Sequence, residues 1–403
     1  MSDRAFNRAS WSVLVAVVVL LLVLASCSGA WDGPDDQAAG STAQTSGMTA
    51  ASAFVPPADN PNELSAWGQV STRDGRLVLA DGVTPYTLNS PLFSDYALKL
   101  RTVWIPKAAG AAAYNPDGPF DFPVGTVITK TFYYLEPAGR QVSDGKVAKA
   151  DPTSDVVESL GLDDVRLVET RVLVRRDDGW HGLPYVWNAD ETEATLQRTG
   201  AIVRLTLVDG DNDVPLNYVV PDVNQCASCH ATNHSTGAIE TIGLKARHLN
   251  TAVDLGAGTA SQLDQWRDRG LLSGAPPADE IPTAAVWSDD SASLESRARA
   301  YLDINCAHCH NAVGAADTSG LVLDQSTEIG ASYGVCKSPI AAGGGTGGRL
   351  VDIVPGKPED SILIYRMETT DPGAMMPELG RSVTHTEGVA LIAAWIESLT
   401  GNC

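Results

Sequence analysis

The chain has 403 residues, 44% of them hydrophobic and 19% charged, which is enough for two or three globular domains and excludes a fibrous or largely disordered protein. Its 49 Asp and Glu outnumber 28 Lys and Arg, giving a net charge of −21. Such a surface argues against nucleic acid and suits a partner with a basic face, with association that weakens as salt rises.

Residues 13–25 form an apolar run preceded by Arg4 and Arg8. This is the pattern of a secretory signal, shorter than a full membrane span. The run ends in Leu24-Ala25-Ser26-Cys27, which resembles a bacterial lipobox, so residues 1–26 are expected to be removed and Cys27 to carry lipid. The alternative is an uncleaved anchor; both place the body outside the cytoplasm. Ser28 in place of Asp favours the outer membrane, by analogy with lipoprotein sorting. Residues 27–53, rich in Ser, Thr, Ala, Gly, Asp and Gln, read as a disordered tether with a reach of about 30 Å.

From residue 54 to 220 the pattern is that of strands: Val103–Ile105, Thr126–Leu135, Val165–Arg175, Trp180–Trp187, Ala201–Val208 and Asn217–Val220. Arg176-Asp177-Asp178-Gly179 is a hairpin turn between two of them. A β-rich, sandwich-like domain is expected. Asp209-Gly210-Asp211-Asn212-Asp213 lacks the Gly and Glu of a calcium loop and reads as an acidic turn.

Residues 221–290 contain Cys226-Ala-Ser-Cys229-His230 and a short helix over Gln262–Leu272, followed by a Pro-rich linker. Ser293 caps the next helix, which leads into Cys306-Ala-His-Cys309-His310. Two Cys-x-x-Cys-His pentapeptides in a chain with seven Cys and seven His predict two covalently bound haem c groups: paired thiols add to the porphyrin vinyls, and the adjacent imidazole, His230 or His310, takes one face of the iron. A zinc centre built from the four thiols would leave both histidines unexplained, and the two pairs lie too far apart in sequence for a compact zinc module.

Residues 291–403 have the order of a class I cytochrome c domain: a helix delivering the motif, a long irregular stretch, a Met-Met-Pro loop and a closing amphipathic helix over Thr386–Leu399. Met376, before Pro377, is the expected second ligand of haem 2, with Met375 and Met367 as alternatives. For haem 1 the expected distal ligand is His248; His181 and an open site remain alternatives, and His234 is too close to His230. His308, between the two thiols, reads as a surface histidine. Gly343–Gly348 reads as a flexible segment, and Arg349 after it as a partner for a haem propionate or a loop cap. Cys336 and Cys403 remain as a possible disulfide. The fold class is thus multidomain α+β, divided at 54–220, 221–290 and 291–403.

Residues 90–105 (Ser-Pro-Leu-Phe-Ser-Asp-Tyr-Ala-Leu-Lys-Leu-Arg-Thr-Val-Trp-Ile), 184–194, 300–310 and 374–399 resemble an extracytoplasmic dihaem c-type cytochrome family of bacteria. The resemblance covers most of residues 60–400 and implies one-electron transfer with a redox protein partner. Two other readings compete with it: a dihaem peroxidase with an open site at haem 1, and a docking role for the β domain toward a periplasmic dehydrogenase.

Overall fold

The branched and aromatic runs of the first half fold as strands, and the second half supplies the helices. In a computed structural model, which describes residues 54–137, 145–150, 159–255, 258–340 and 342–403, the strands are β1 (Val70–Arg73), β2 (Arg76–Leu79), β3 (Thr84–Tyr86), β4 (Leu98–Trp104), β5 (Ala112–Ala113), β6 (Val127–Leu135), β7 (Lys146–Ala148), β8 (Ser159–Gly161), β9 (Val165–Arg176), β10 (Gly179–Trp187), β11 (Ala194–Leu196), β12 (Ala201–Asp209) and β13 (Asn212–Val220). The expected signal peptide, the expected tether and Cys27 lie outside the described residues.

The main sheet has nine strands, in the order β11-β10-β9-β6-β7-β12-β13, with β4 also paired to β6 and β3 to β4. The predicted hairpin closes β9 onto β10 with Arg176 opposite Gly179, whose φ of 134° suits glycine. The acidic segment is likewise a turn, joining β12 and β13 with Asp209 opposite Asn212. One face of the sheet is covered by β1, β2 and β8: Val70, Leu77 and Leu160 pack with Leu98, Val127, Val174 and Tyr185. The expected sandwich goes no further than these three short strands. Val103 and Ile128 on the other face pack instead with Phe120, Phe122, Leu244, Leu263, Trp266 and Ile304, so helices and loops form that layer and the fold is mixed α+β.

The helices are α1 (Gln225–His230), α2 (Ala246–Leu249), α3 (Gln262–Asp268), α4 (Leu294–Asn305), α5 (Ile362–Glu368) and α6 (Thr386–Ser398). Ser293 caps α4 as its sequence predicts, its Oγ accepting from Ser296 N at 3.2 Å. The apolar stripes of α4 and α6 meet through Ala298, Tyr301, Leu302, Val389, Ile392, Trp395 and Ile396. Among the described residues no helix is long and apolar enough to cross a membrane.

The segment after β3 fastens the sheet to the last third of the chain. Phe93 N donates to Asn305 Oδ1 (2.8 Å), Asp95 Oδ1 accepts from Ser382 N (2.7 Å) and Val383 N (3.0 Å), and Tyr96 OH donates to Glu387 Oε2 (2.7 Å). Asp95 and Tyr96 adopt φ of 51° and 61° to present these groups. Cys336 and Cys403 are joined as a disulfide. Gly343–Gly348, expected to be flexible, packs on α5: a Cβ on Gly347 would lie 2.7 Å from the Tyr365 ring. Arg349 donates to the Glu359 and Gly347 carbonyls and so caps that loop.

Candidate functional site

The first motif is wound into a short helix. Asp222 Oδ1 accepts from Asn224 N (2.7 Å) and Gln225 N (2.9 Å), which starts α1 and sets Cys226 and Cys229 one turn apart on the same side. Next in the chain, His230 places Nδ1 2.6 Å from the Glu240 carbonyl. A carbonyl only accepts, so Nδ1 carries the proton and Nε2 keeps its lone pair. Burial, aided by the nearby Lys130 ammonium, pushes the His230 imidazole down to about 3, so the ring is neutral.

The second motif repeats this arrangement at the end of α4. Cys309 N and His310 N both bond Cys306 O, at 3.1 and 2.9 Å, closing a helical turn. His310 Nδ1 lies 3.2 Å from Ser319 Oγ, and that hydroxyl already donates to Ala316 O at 2.6 Å. Ser319 therefore accepts from Nδ1, and Nε2 of His310 is again the free nitrogen. Burial, with Arg366 adding to it, pushes His310 down to about 4. The four thiols are half-buried and unbridged; burial raises all of them, Cys306 and Cys309 to about 12, a setting that favours neutral sulfur over thiolate.

Though 76 residues separate Cys229 from Cys306, the two motifs are in contact. Cys309 Sγ lies 3.5 Å from Ser228 O, Asn311 Nδ2 donates to Thr232 O at 3.3 Å, and His234 N donates to Val313 O at 2.6 Å. His234 itself is exposed.

Beneath the first motif lies the helix-covered face of the main sheet. Arg101, Lys130 and Arg171 stand opposite one another on β4, β6 and β9. Glu169, fully buried, accepts from Arg171 Nε (3.0 Å) and from Tyr218 OH (2.6 Å). On β10, Gly182 leaves room for the motif: a Cβ there would sit 2.9 Å from Cys226 Sγ. Gly182→Val is therefore expected to displace Cys226 and to lower the urea-unfolding midpoint; an unchanged midpoint would contradict this.

Met376 lies half-buried in its loop, its N–H donating to Arg366 O at 2.8 Å and its carbonyl accepting from Arg381 Nε at 3.0 Å. Met375 is its half-buried neighbour, whereas Met367 is buried in α5 as part of the α4–α6 core. His248 is 1% exposed, with Nε2 2.7 Å from Asp303 Oδ2, so this nitrogen is held by the helix that ends at Cys306. His181 Nε2 is 2.8 Å from Asp178 Oδ1. His308 departs from expectation: it is 6% exposed and not on the surface. Burial, with Lys245 and His310 adding to it, pushes its imidazole down to about 4; only the Ile304 carbonyl favours the charged ring.

Sequence reasoning missed His308, the Arg247–Asp303–His248 cluster and the cationic row on the sheet. A signal for the row was present, since Lys130 and Arg171 interrupt runs of Thr, Val and aromatics at positions that alternation assigns to one face.

Both motifs fit a covalent haem on the chemistry of their donors: paired neutral thiols, then an oriented neutral imidazole with Nε2 free. Among the described residues no three His, Cys, Asp or Glu are grouped to hold a metal ion; a porphyrin iron, which draws four nitrogens from its own ring, needs no such group. Comparison with protein-family models, curated proteins and solved structures finds no match for this chain.

Proposed function

We propose that this chain is a dihaem c-type electron carrier. One haem is attached through Cys226 and Cys229 with His230 as ligand. The other is attached through Cys306 and Cys309 with His310 and Met376, and residues 291–403 act as a class I cytochrome c domain.

The observation that carries the reading is the matched state of the two motif histidines. Each donates Nδ1–H to a fixed oxygen, Glu240 O at 2.6 Å or Ser319 Oγ at 3.2 Å, and each thereby keeps Nε2 available in a half-buried setting. Bound haem supplies a one-electron ferric/ferrous couple. The chain fixes each imidazole, excludes water through the helix-covered sheet face, and joins the two motifs by direct contacts so that an electron passes within one molecule. No side chain need act as acid or base.

The remaining parts of the proposal rest on sequence. The body lies outside the cytoplasm, tethered by lipid on Cys27 to a membrane facing the periplasm, with the outer membrane favoured. Its net charge of −21 suits a redox protein partner with a basic face. Titration of the exported protein with a reductant is expected to take up two electrons per chain, with low-spin spectra in both oxidation states and no turnover of hydrogen peroxide. Uptake of fewer electrons contradicts the carrier, and peroxide turnover would favour a peroxidase with an open first site.

A further inference from the structure

The second motif holds a side chain that its own haem cannot use. Cys306, Cys309 and His310 take up the motif's three bonds to its own haem, and His308 between them takes none. The first motif lies against this turn: Asn311 Nδ2 donates both to His308 O (3.2 Å) and to Thr232 O (3.3 Å), Cys309 Sγ lies 3.5 Å from Ser228 O, and His234 N donates to Val313 O.

His308 is nevertheless 6% exposed, and its Nδ1 has no hydrogen-bond partner. Burying an unsatisfied imidazole nitrogen is unfavourable, a penalty that a bond to a metal would remove. The other histidines differ. His230 and His310 are the motif ligands, and His181 is held by Asp178. His248, the distal ligand expected from the sequence, has Nε2 held by Asp303, but its Nδ1 is buried without a partner as that of His308 is; the contacts between the two motifs favour His308 over it. His385 lies stacked 4.2 Å from Phe93 with Nδ1 2.9 Å from Tyr301 OH, and His234 is exposed.

We propose that His308 is the sixth ligand to the iron bound at the first motif, so that the turn binding one haem also closes the pocket of the other. This rests on the haem reading above and goes beyond it. It makes the first haem's coordination depend on the folding of the second motif, and it gives the two irons different ligand pairs: two imidazoles at the first, imidazole and thioether at the second.

The test uses the exported full-length protein. Wild type is expected to show one bis-imidazole and one imidazole–thioether low-spin haem by electron paramagnetic resonance and near-infrared spectroscopy; absence of the bis-imidazole signature overturns the proposal whatever any variant does. His308→Ala and His308→Gln keep the Cys-x-x-Cys-His spacing and should retain both haems by intact mass. One of the two should become high-spin and return to low-spin on addition of free imidazole. Two low-spin haems in both variants would overturn the proposal, as would His248→Ala or Lys130→Ala being the change that gives the high-spin signal. A wild-type mass lacking one or both haems would instead defeat the underlying reading, so the two failures are distinguishable.

Discussion

Asp303→Ala is expected to lower the unfolding free energy by about 3–5 kcal/mol. The carboxylate is fully buried on α4, three residues before Cys306, and it accepts from Arg247 Nε (2.9 Å), Arg247 Nη2 (2.8 Å) and His248 Nε2 (2.7 Å). It ties α2, which packs on the sheet, to the helix that delivers the second motif. Its removal leaves Arg247 with Asp324 alone, at 2.9 Å, and strands a buried imidazole. Burial alone would raise the Asp303 carboxyl, but the bonds from His248 and Arg247 outweigh it and hold the group well below the usual carboxylate range. Burial also lowers His248, which stays neutral and donates. Both depressed groups bind fewer protons folded than unfolded, so stability is fully present above about pH 6.5 and falls on acidification. The His248 share goes first, and the Asp303 share follows below about pH 4. Urea unfolding at pH 7 should show a lower midpoint for Asp303→Ala with an unchanged slope, and a smaller acid dependence than wild type. An unchanged midpoint would mean that the cluster contributes nothing net.

Met376→His is expected to lower the potential of one haem by a sizeable share of the roughly 0.8 V range that axial ligands span, and to leave the other haem unmoved. A thioether favours ferrous iron, and a second imidazole favours ferric iron. The exchange is testable because the loop is held by its backbone. Arg381, 5% exposed, donates to the carbonyls of Met376 (3.0 Å), Arg366 (3.0 Å) and Thr369 (2.8 Å), and Asp95 anchors the next two residues from the sheet side. Met375→His should leave both potentials in place. A voltammogram that is the same for Met376→His and wild type would assign the iron to another ligand.

The long strands β6, β9, β10 and β12, the Arg176–Gly179 hairpin, the Ser293 cap and the closing helix were legible, because period-2 or period-3.6 patterns and turn residues are local, whereas short strands such as β1, β2 and β8 carry too few residues to show a period. The Cys336–Cys403 bond followed from counting thiols against motifs. Helix α5 was not legible: Ile362–Glu368 is short, and Ser361, at its N-cap, turns its hydroxyl to Lys357 O, leaving the helix without a side-chain cap. The covering of the sheet by helices was also hidden, since alternation shows that one side of a strand is buried without saying what covers it. The motif residues announced themselves by spacing. Their setting did not, because the two motifs meet across about 80 residues of chain, at Cys309–Ser228 and Asn311–Thr232, and Asp303 is an acidic residue inside a helix whose pattern predicts only solvent or core.

Intact mass of the exported protein after acid-acetone treatment tests the central claim most directly. Two haem masses should remain attached to each chain, because thioether links survive extraction. A chain with no added mass, or with only one haem, would contradict the account.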